Sequence, residues 1–425
     1  MLATWLIACQ PAPEPASLLW ISLDTVGAQY LSLHGGNAAT PVIDDFAKRA
    51  QVYDQAFTHF PETSIAHWTM LTGVYPEVHG DVPRLGDSEY TGHTAAQVLA
   101  AAGYATAAWT EGPTMHERAT GLDRGFTSVR NAQTREDPAP ACGGQLGDAT
   151  EWVNRQEGKF FAFVHCFDAH TPYTQGDRRV VHDRLKSQFA ADMPSILPIR
   201  DGREAPTPEV LHDAQLFYEL EISALDAALA PLLAAARADT VVVITADHGE
   251  SFTPEYPFNH SGSLFDEVLH VPLVIRVPGG KQGREDRVVG LVDVLPTVLG
   301  ALRVPHGQPM QGVDLGTGAA PGEVWAMPDP TSTRQRLAGP LAGPLVARRT
   351  PGLLVLGGQD GTVSYDLAGD PQHQRPVPAS LDRSAHDERV AAMAAYRRAP
   401  APRAGVLSPE ALEALGYVHR SEPVR

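Results

Sequence analysis

A chain of 425 residues, 43% of them apolar, can bury a substantial core and reads as one large domain with a smaller companion. Its formal charge of −17 excludes a general affinity for nucleic acid or an anionic lipid surface, although not a local metal-lined pocket. Seventeen histidines beside 33 Lys and Arg residues are many, and those that recur next to aspartates point to metal binding or acid–base work.

The chain opens on an apolar stretch, Met1 to Cys9, followed by the tether Gln10-Pro11-Ala12-Pro13-Glu14-Pro15. Leu6-Ile7-Ala8-Cys9 has the form of a bacterial lipobox. On that reading Cys9 is the lipidated first residue of an exported protein, periplasmic or anchored at the cell envelope, and residues 1–17 stand apart from the fold. Against it, no Lys or Arg precedes the apolar run, which is shorter than a usual signal core. No other apolar run is long enough to cross a bilayer. Cys142 and Cys166 are either a pair, if the chain is exported, or two packed thiols.

Leu18 to Leu23 is a continuous apolar run, predicting a strand buried on both faces with Asp24 at its C-terminal tip. Thr40 to Ala50 has a helix start signal and helical spacing. The alternation then repeats, with helix over Thr94 to Ala102, strand over Ala105 to Trp109, helix over Gly147 to Gln156 and strand over Phe160 to Phe167. From Asp168 to Pro208 the chain turns polar and Pro-rich without a clean period, as expected of a surface excursion near the mouth of a site. Glu209 to Ala236 reads as a helix, and Thr240 to Thr245 as a strand ending at Ala246-Asp247-His248-Gly249-Glu250. Val271 to Arg276 is a further strand and Val292 to Leu302 a further helix. After Gly316 the composition shifts toward Gly, Pro and Ala, which puts a soft boundary near Ala320 and assigns residues 18–320 to the main domain. Residues 321–425 form a small α+β companion, in which Gly357-Gly358-Gln359-Asp360-Gly361 joins two strands of an antiparallel hairpin. The βα alternation predicts a largely parallel sheet.

Between the first helix and Thr94 lies Pro61-Glu62-Thr63-Ser64-Ile65-Ala66-His67-Trp68, a hydroxyl-rich loop running into a short helix. Thr63 or Ser64 is the expected N-cap, and the free N–H groups of the first turn then face the same point as the Thr63 hydroxyl, a place that attracts anions. Three predicted strands end in residues of ligand type: Asp24, then His165, Asp168 and His170, then Asp247 and His248. In an open parallel sheet such ends share one crevice. Two carboxylates and an imidazole meeting beside a hydroxyl suit a divalent cation that activates that hydroxyl for displacement at phosphorus or sulfur. Each piece has a bland counterpart: Thr63 as a simple cap, Asp247-His248 as a hydrogen-bonded turn, His165 as a satisfied core histidine, Asp168 as the start of a turn before Pro172.

Taken together, the blocks LLWISLDT, TSIAHWTMLTGVYPEVHG, FFAFVHCFDAHTPY, TADHGE, HSGSLFDEVLHVPLVI, LVDVLPTVLGAL and TVSYDLAGDP resemble the sulfatases of the alkaline phosphatase superfamily, as does the terminal LSPEALEALGYV. The resemblance implies an α/β/α sandwich around a large, mostly parallel sheet, with a small C-terminal domain carrying a short antiparallel sheet. It implies one divalent metal ion (calcium, magnesium, manganese or zinc), with room for a second, held by Asp24, Thr63, Asp247 and His248. It puts Thr63 at the nucleophile position, His170 and His260 where the family contacts the anionic group or protonates the leaving oxygen, and His67 where sulfatases carry an arginine. Asp266 and Glu267 read as structuring the segment after His260.

The departures bear on chemistry. Formylglycine sulfatases need Cys or Ser in a C/S-x-P-x-R pattern, whereas this chain has Thr63, Ile65 and His67, so a bare threonine is the expected nucleophile. A sulfated threonine lacks the exit that a formylglycine hydrate has, while a phosphothreonine can be hydrolysed by activated water, which favours phosphoester over sulfate ester chemistry. Thr25 replaces a second aspartate, and His260 a lysine. The expected partner is a small anionic ester; no nucleic acid is expected, and the membrane enters only through a lipid at Cys9. Two alternatives stand beside this reading: a phosphoryl-group transferase of the same superfamily, and an inactive sulfatase-like binding protein.

Overall fold

The computed structural model describes residues 14–80, 90–115, 120–132, 141–174, 176–319, 321–328, 341, 345–358, 361–370, 373, 375–378 and 382–396. Cys9, Ala320 at the expected boundary and the terminal stretch 407–418 lie outside the described residues.

Eight strands form the large sheet: β1 (Ser17–Leu23), β2 (Gln51–Phe57), β3 (Ala105–Glu111), β4 (Ser128–Ala132), β5 (Phe160–Cys166), β6 (Thr240–Ala246), β7 (Leu273–Arg276) and β8 (Gly283–Gly290). Their order is β4-β3-β5-β1-β6-β7-β2-β8, and every pairing is parallel except those of β7, which runs antiparallel to both neighbours. The three central strands β5, β1 and β6 are buried at every position, so both faces of the sheet are covered. Helices Pro41–Ala47, Gln145–Asn154 and Pro208–Ala235 pack together as one layer, and Thr63–Thr72, Ala95–Ala101 and Val294–Leu302 as another.

A second, wholly antiparallel sheet follows, from β9 (Val324–Ala326), β10 (Val346–Thr350), β11 (Leu353–Gly358), β12 (Gly361–Asp366) and β13 (Pro376–Val377), ordered β13-β12-β11-β10-β9. The expected hairpin is β11 with β12.

Two of the strands that sequence reading passed over share a cause. The edge strands β4 and β8 carry charged or half-exposed residues along much of their length, so the apolar signal that marks a buried strand is diluted. The antiparallel direction of β7 is a property of its connections, which no local pattern encodes.

The long helix Pro208–Ala235 organises the loops around the site. Tyr218 donates its hydroxyl to the Thr25 carbonyl at 2.6 Å and accepts the Gly27 N–H at 3.1 Å. Asp226 accepts the Val42 and Ile43 N–H groups, each at 2.9 Å, so it caps the neighbouring helix from across the layer. The excursion after Asp168 is also more ordered than its composition suggests. It contains a helix, Met193–Arg200, and Asp213 accepts the Lys186 and Ser187 N–H groups at 2.8 and 2.7 Å. The Arg178 guanidinium lies 4.2 Å from the centroid of the Phe217 ring.

His59 ties the two sheets together and has a testable pH signature. Its Nδ1–H donates to the Trp325 carbonyl at 2.7 Å and its Nε2 accepts the Val292 N–H at 3.3 Å, so the neutral ring is matched on both sides. Burial lowers its pKa to about 3. A folded-state value below the unfolded one contributes stability that is present above about pH 6.5 and lost as pH falls toward the folded value. Denaturant titrations are expected to show stability falling by roughly 1 kcal/mol per pH unit below pH 6.5 from this group, a slope that His59→Gln reduces.

Candidate active site

Because β5, β1 and β6 are adjacent and in register, Leu23 pairs with both Cys166 and Ala246, and the residues that follow emerge at one place. The Asp24 N–H donates to the Cys166 carbonyl at 2.9 Å. Thr25 then turns through a left-handed conformation, φ 58°, rare for a β-branched residue and common where a site holds strained backbone. That turn aims the Thr25 N–H at Asp247 Oδ1 (3.1 Å), which also accepts the His248 N–H at 2.9 Å. The Thr25 hydroxyl is used on the Asp24 carbonyl at 2.8 Å.

Asp24, Asp247 and His248 are fully buried and offer ligand atoms that all lie within 4.8 Å of one another. Asp247 Oδ2 is buried with no hydrogen bond. A carboxylate oxygen left so is costly unless a cation meets it, so the donor set fits a divalent metal ion. The His248 pKa tells the same story: burial lowers it, but Asp247 and Asp24 beside it reverse that, and the net direction is upward.

Thr63 completes the group. Its Oγ1 donates to Asp24 Oδ2 at 3.3 Å and lies 3.4 Å from His248 Nε2. The expected N-cap role for Thr63 or Ser64 is corrected: Glu62 is the N-cap residue, Thr63 is the first residue of the helix Thr63–Thr72, and no side chain caps it. The physical reason is that the Thr63 hydroxyl is directed at the Asp24 carboxylate after β1 and the His248 ring after β6 instead of back onto its own helix.

His67, one turn on, is fully buried. Its Nδ1–H donates to the Thr63 carbonyl at 2.6 Å, its Nε2 meets Ser22 Oγ at 2.9 Å, and its Nδ1 is 3.8 Å from Asp247 Oδ2. Burial, then His165, lowers its pKa to about 3. His165 lies in the core and also touches the site: its Nε2 is 3.0 Å from Asp24 Oδ2 and its Nδ1 is 3.1 Å from the Glu111 carbonyl. Burial lowers its pKa to about 4. His67, His165 and Asp247 form a second cluster of ligand atoms. Both ring nitrogens of each histidine are already engaged, so Asp247 is more available to the group with Asp24 and His248.

The far wall is a run of imidazoles. The His260 ring stacks on His248 with centroids 4.2 Å apart, and His170 stands edge-on to His260 at 5.5 Å. His170 stacks on Phe167 at 4.3 Å and donates Nδ1–H to the Thr171 carbonyl at 2.9 Å. Asp168 accepts the Cys142 N–H on both oxygens at 2.9 Å, which makes it a loop anchor. Asp266 pairs with Arg349, and Glu267 accepts the Ser263 hydroxyl, as expected of structuring residues.

Cys142 and Cys166 form a disulfide across 24 residues, at the end of β5 beside Asp168. Closing a loop of that length is expected to stabilise the chain by about 3 kcal/mol through the unfolded state, a loss that Cys142→Ser with Cys166→Ser should show in denaturant titration.

Sequence reading missed Glu250, although it stands inside TADHGE two residues after His248. It is fully buried, accepts the Tyr173 hydroxyl at 3.3 Å, and lies 3.4 Å from His260 Nδ1. Burial pushes its pKa up to about 7.

A family model described as Sulfatase matches residues 17–304. An ulvan-active sulfatase of Formosa agariphila is 25% identical over 414 residues, covering 86% of this chain and 77% of that protein. Arylsulfatase K of Danio rerio is 36% identical over 115 residues, a match to 26% of this chain that spans only 22% of the relative's length. The crystal structure of a phosphonate monoester hydrolase of Agrobacterium radiobacter superposes with a TM-score of 0.67 at 19% identity, covering 90% of this chain and 96% of that one. No helix among the described residues is long and apolar enough to cross a membrane.

Proposed function

The chain belongs to the ester-hydrolysing sulfatase family, and from that premise we propose that it is a metal-dependent hydrolase in which Thr63 is the nucleophile and phosphate esters are preferred to sulfate esters. The observation that carries the proposal is the Thr63 hydroxyl, 3.3 Å from Asp24 Oδ2 and 3.4 Å from His248 Nε2, at the first residue of a helix.

Asp24, Asp247, His248 and Thr63 would hold a divalent cation, which when bound lowers the pKa of the hydroxyl and neutralises charge on the substrate. Thr63 Oγ1, its proton lost to solvent and regained when it leaves, attacks phosphorus in line, forming a new P–O bond as the bond to the leaving oxygen breaks. The first-turn N–H groups of its helix, which lack partners within the helix, receive the non-bridging oxygens. His170 or His260 gives a proton to the leaving oxygen, and the neutral imidazole then takes one from the water that attacks the phosphothreonine. Thr63 leaves with its oxygen reprotonated, and inorganic phosphate is released. His67 contributes by holding the Thr63 carbonyl and thereby the hydroxyl's direction.

Sulfate is disfavoured because a sulfated threonine cannot eliminate its sulfate as a formylglycine hydrate does. The excursion from Asp177 to Pro208 is the element that selects the alcohol or sugar carried by the ester. The Cys142–Cys166 disulfide supports the view of an exported protein, since such bonds persist in oxidising compartments.

Matched p-nitrophenyl phosphate, phosphate diester, phosphonate and sulfate esters, each assayed with calcium, magnesium, manganese and zinc, test the reading. Phosphorus esters are expected to be turned over faster than the sulfate. A rate on the sulfate ester alone would overturn the preference, and silence on all four would overturn the activity.

A further inference from the structure

We propose that Ser64 and Thr114 form a hydroxyl pair that binds the anionic group of the substrate, each donating to a non-bridging oxygen of the phosphoryl group that Thr63 attacks. The inference rests on the reading above, in which Thr63 is the attacking residue.

Each residue is only 1% exposed, and neither Ser64 Oγ nor Thr114 Oγ1 has a hydrogen-bond partner among the described residues. A hydroxyl taken out of water and left unbonded is costly, so it is kept where something outside the chain supplies the acceptor. The other hydroxyls of the helix Thr63–Thr72 are all used. Thr69 and Thr72 donate to the carbonyls four residues back, Ile65 at 3.1 Å and Trp68 at 2.5 Å, and Thr63 meets Asp24. Ser64 has no such route, because the residue four back is Phe60, which precedes the helix and whose carbonyl already accepts the Thr58 hydroxyl at 3.2 Å.

The fold brings the two hydroxyls to one wall. Side chains at i, i+4 and i+7 share a stripe of a helix, which puts Ser64 in line with Trp68 and Leu71. Leu71 lines a small cavity with Ala108 and Thr110 of β3 and with Met115, so the stripe faces β3 and the turn Pro113–Met115 after it, which packs on the same helix. Ser64 stands at the end of that stripe nearest Thr63, and therefore at the crevice. The turn itself follows Gly112, φ 80°, where a Cβ would stand 3.0 Å from the Phe167 ring, and Phe167 is the residue on which His170 stacks. Thr114 is thus held between the start of the Thr63 helix and the strand-end loop that carries His170. Hydroxyl donors beside the unpaired N–H groups of a first helical turn suit the charged oxygens of a phosphoryl group.

The probe is inorganic phosphate, the product of the proposed reaction, added to the full chain in the presence of a divalent cation. It is expected to raise the thermal midpoint of the wild type. Ser64→Ala and Thr114→Val are each expected to weaken phosphate binding by about 10- to 100-fold, the scale of one hydrogen bond to a charged group, with a matching loss in kcat/KM on p-nitrophenyl phosphate. Without phosphate the midpoints of both variants are expected to equal or exceed that of the wild type, because no hydrogen bond within the chain is lost. Thr114→Ser, which keeps the hydroxyl, is expected to bind phosphate as the wild type does. A hydroxyl that only holds the fold together, or a buried water, gives the reverse pattern. Variants with a lowered midpoint and unchanged phosphate affinity therefore overturn this inference alone, as does a Thr114→Ser chain that binds phosphate no better than Thr114→Val. A wild-type chain that neither binds phosphate nor turns over the ester overturns it together with the reading of Thr63 as the attacking residue.

Discussion

Thr63→Ala is expected to reduce turnover of a phosphate ester by on the order of 10⁶-fold, the scale of loss seen when a nucleophile that works within a set of coupled groups is removed. The fold should survive. The Thr63 hydroxyl makes two contacts, at 3.3 and 3.4 Å, and Asp24 Oδ2 keeps His165 as a partner when the hydroxyl is gone. Alanine is also a better helix former at this position, so the change in stability is expected to stay within about 1 kcal/mol. Thermal unfolding beside single-turnover kinetics separates the two effects. A variant that folds and retains wild-type turnover would reject Thr63 as the attacking group, and a loss matched by global unfolding would reject the claim that the hydroxyl acts chemically. Thr63→Ser tests the same point from the other side, since it keeps the oxygen and should retain measurable turnover.

Asp247→Asn is expected to abolish both cation binding and turnover. One Asp247 oxygen accepts two backbone N–H groups and the other is buried without a hydrogen bond, so the second is the one a cation would meet. An amide keeps the first function and removes the negative charge needed for the second. In the wild-type chain a divalent cation at a hundred times its dissociation constant should raise stability by about 2.7 kcal/mol, read as an upward shift of the thermal midpoint and reversed by a chelator. In Asp247→Asn the shift should vanish. This readout is independent of any substrate, so it holds even if the preferred ester has not been found. A midpoint indifferent to every divalent cation, in the wild-type chain freed of metal, would remove the metal from the mechanism.

The candidate site divides in an instructive way between residues that announced themselves and residues that did not. Asp24, Asp247 and His248 stand at the ends of apolar runs, where a polar residue at the tip of a buried strand stands out. His260 and His67 came from the likeness of whole blocks to a family pattern, which also gave a role to His170, already seen after a strand end. Glu250 was visible as a letter but not as part of the site, and His165 stood among the strand-end residues with its role open. A histidine inside a buried strand looks the same whether its ring bonds to a carbonyl or to a site carboxylate, and only the position of Asp24 on the neighbouring strand decides that His165 meets it at 3.0 Å. Glu250 depends on the return of the chain ten residues later, where His260 lies against it.

The sequence by itself determined the alternation of strand and helix, the three strands that would end in ligand-type residues, the hairpin of the smaller sheet and the family, because each of these is written in local periodicity or in an ordered series of blocks. Tertiary structure alone decided the order of the strands, the reversed direction of β7, the pairing of Cys142 with Cys166 and the partner of each buried polar atom. Those are contacts between residues far apart along the chain, fixed by how layers pack and how buried charge is compensated, and no window of neighbouring residues carries that information.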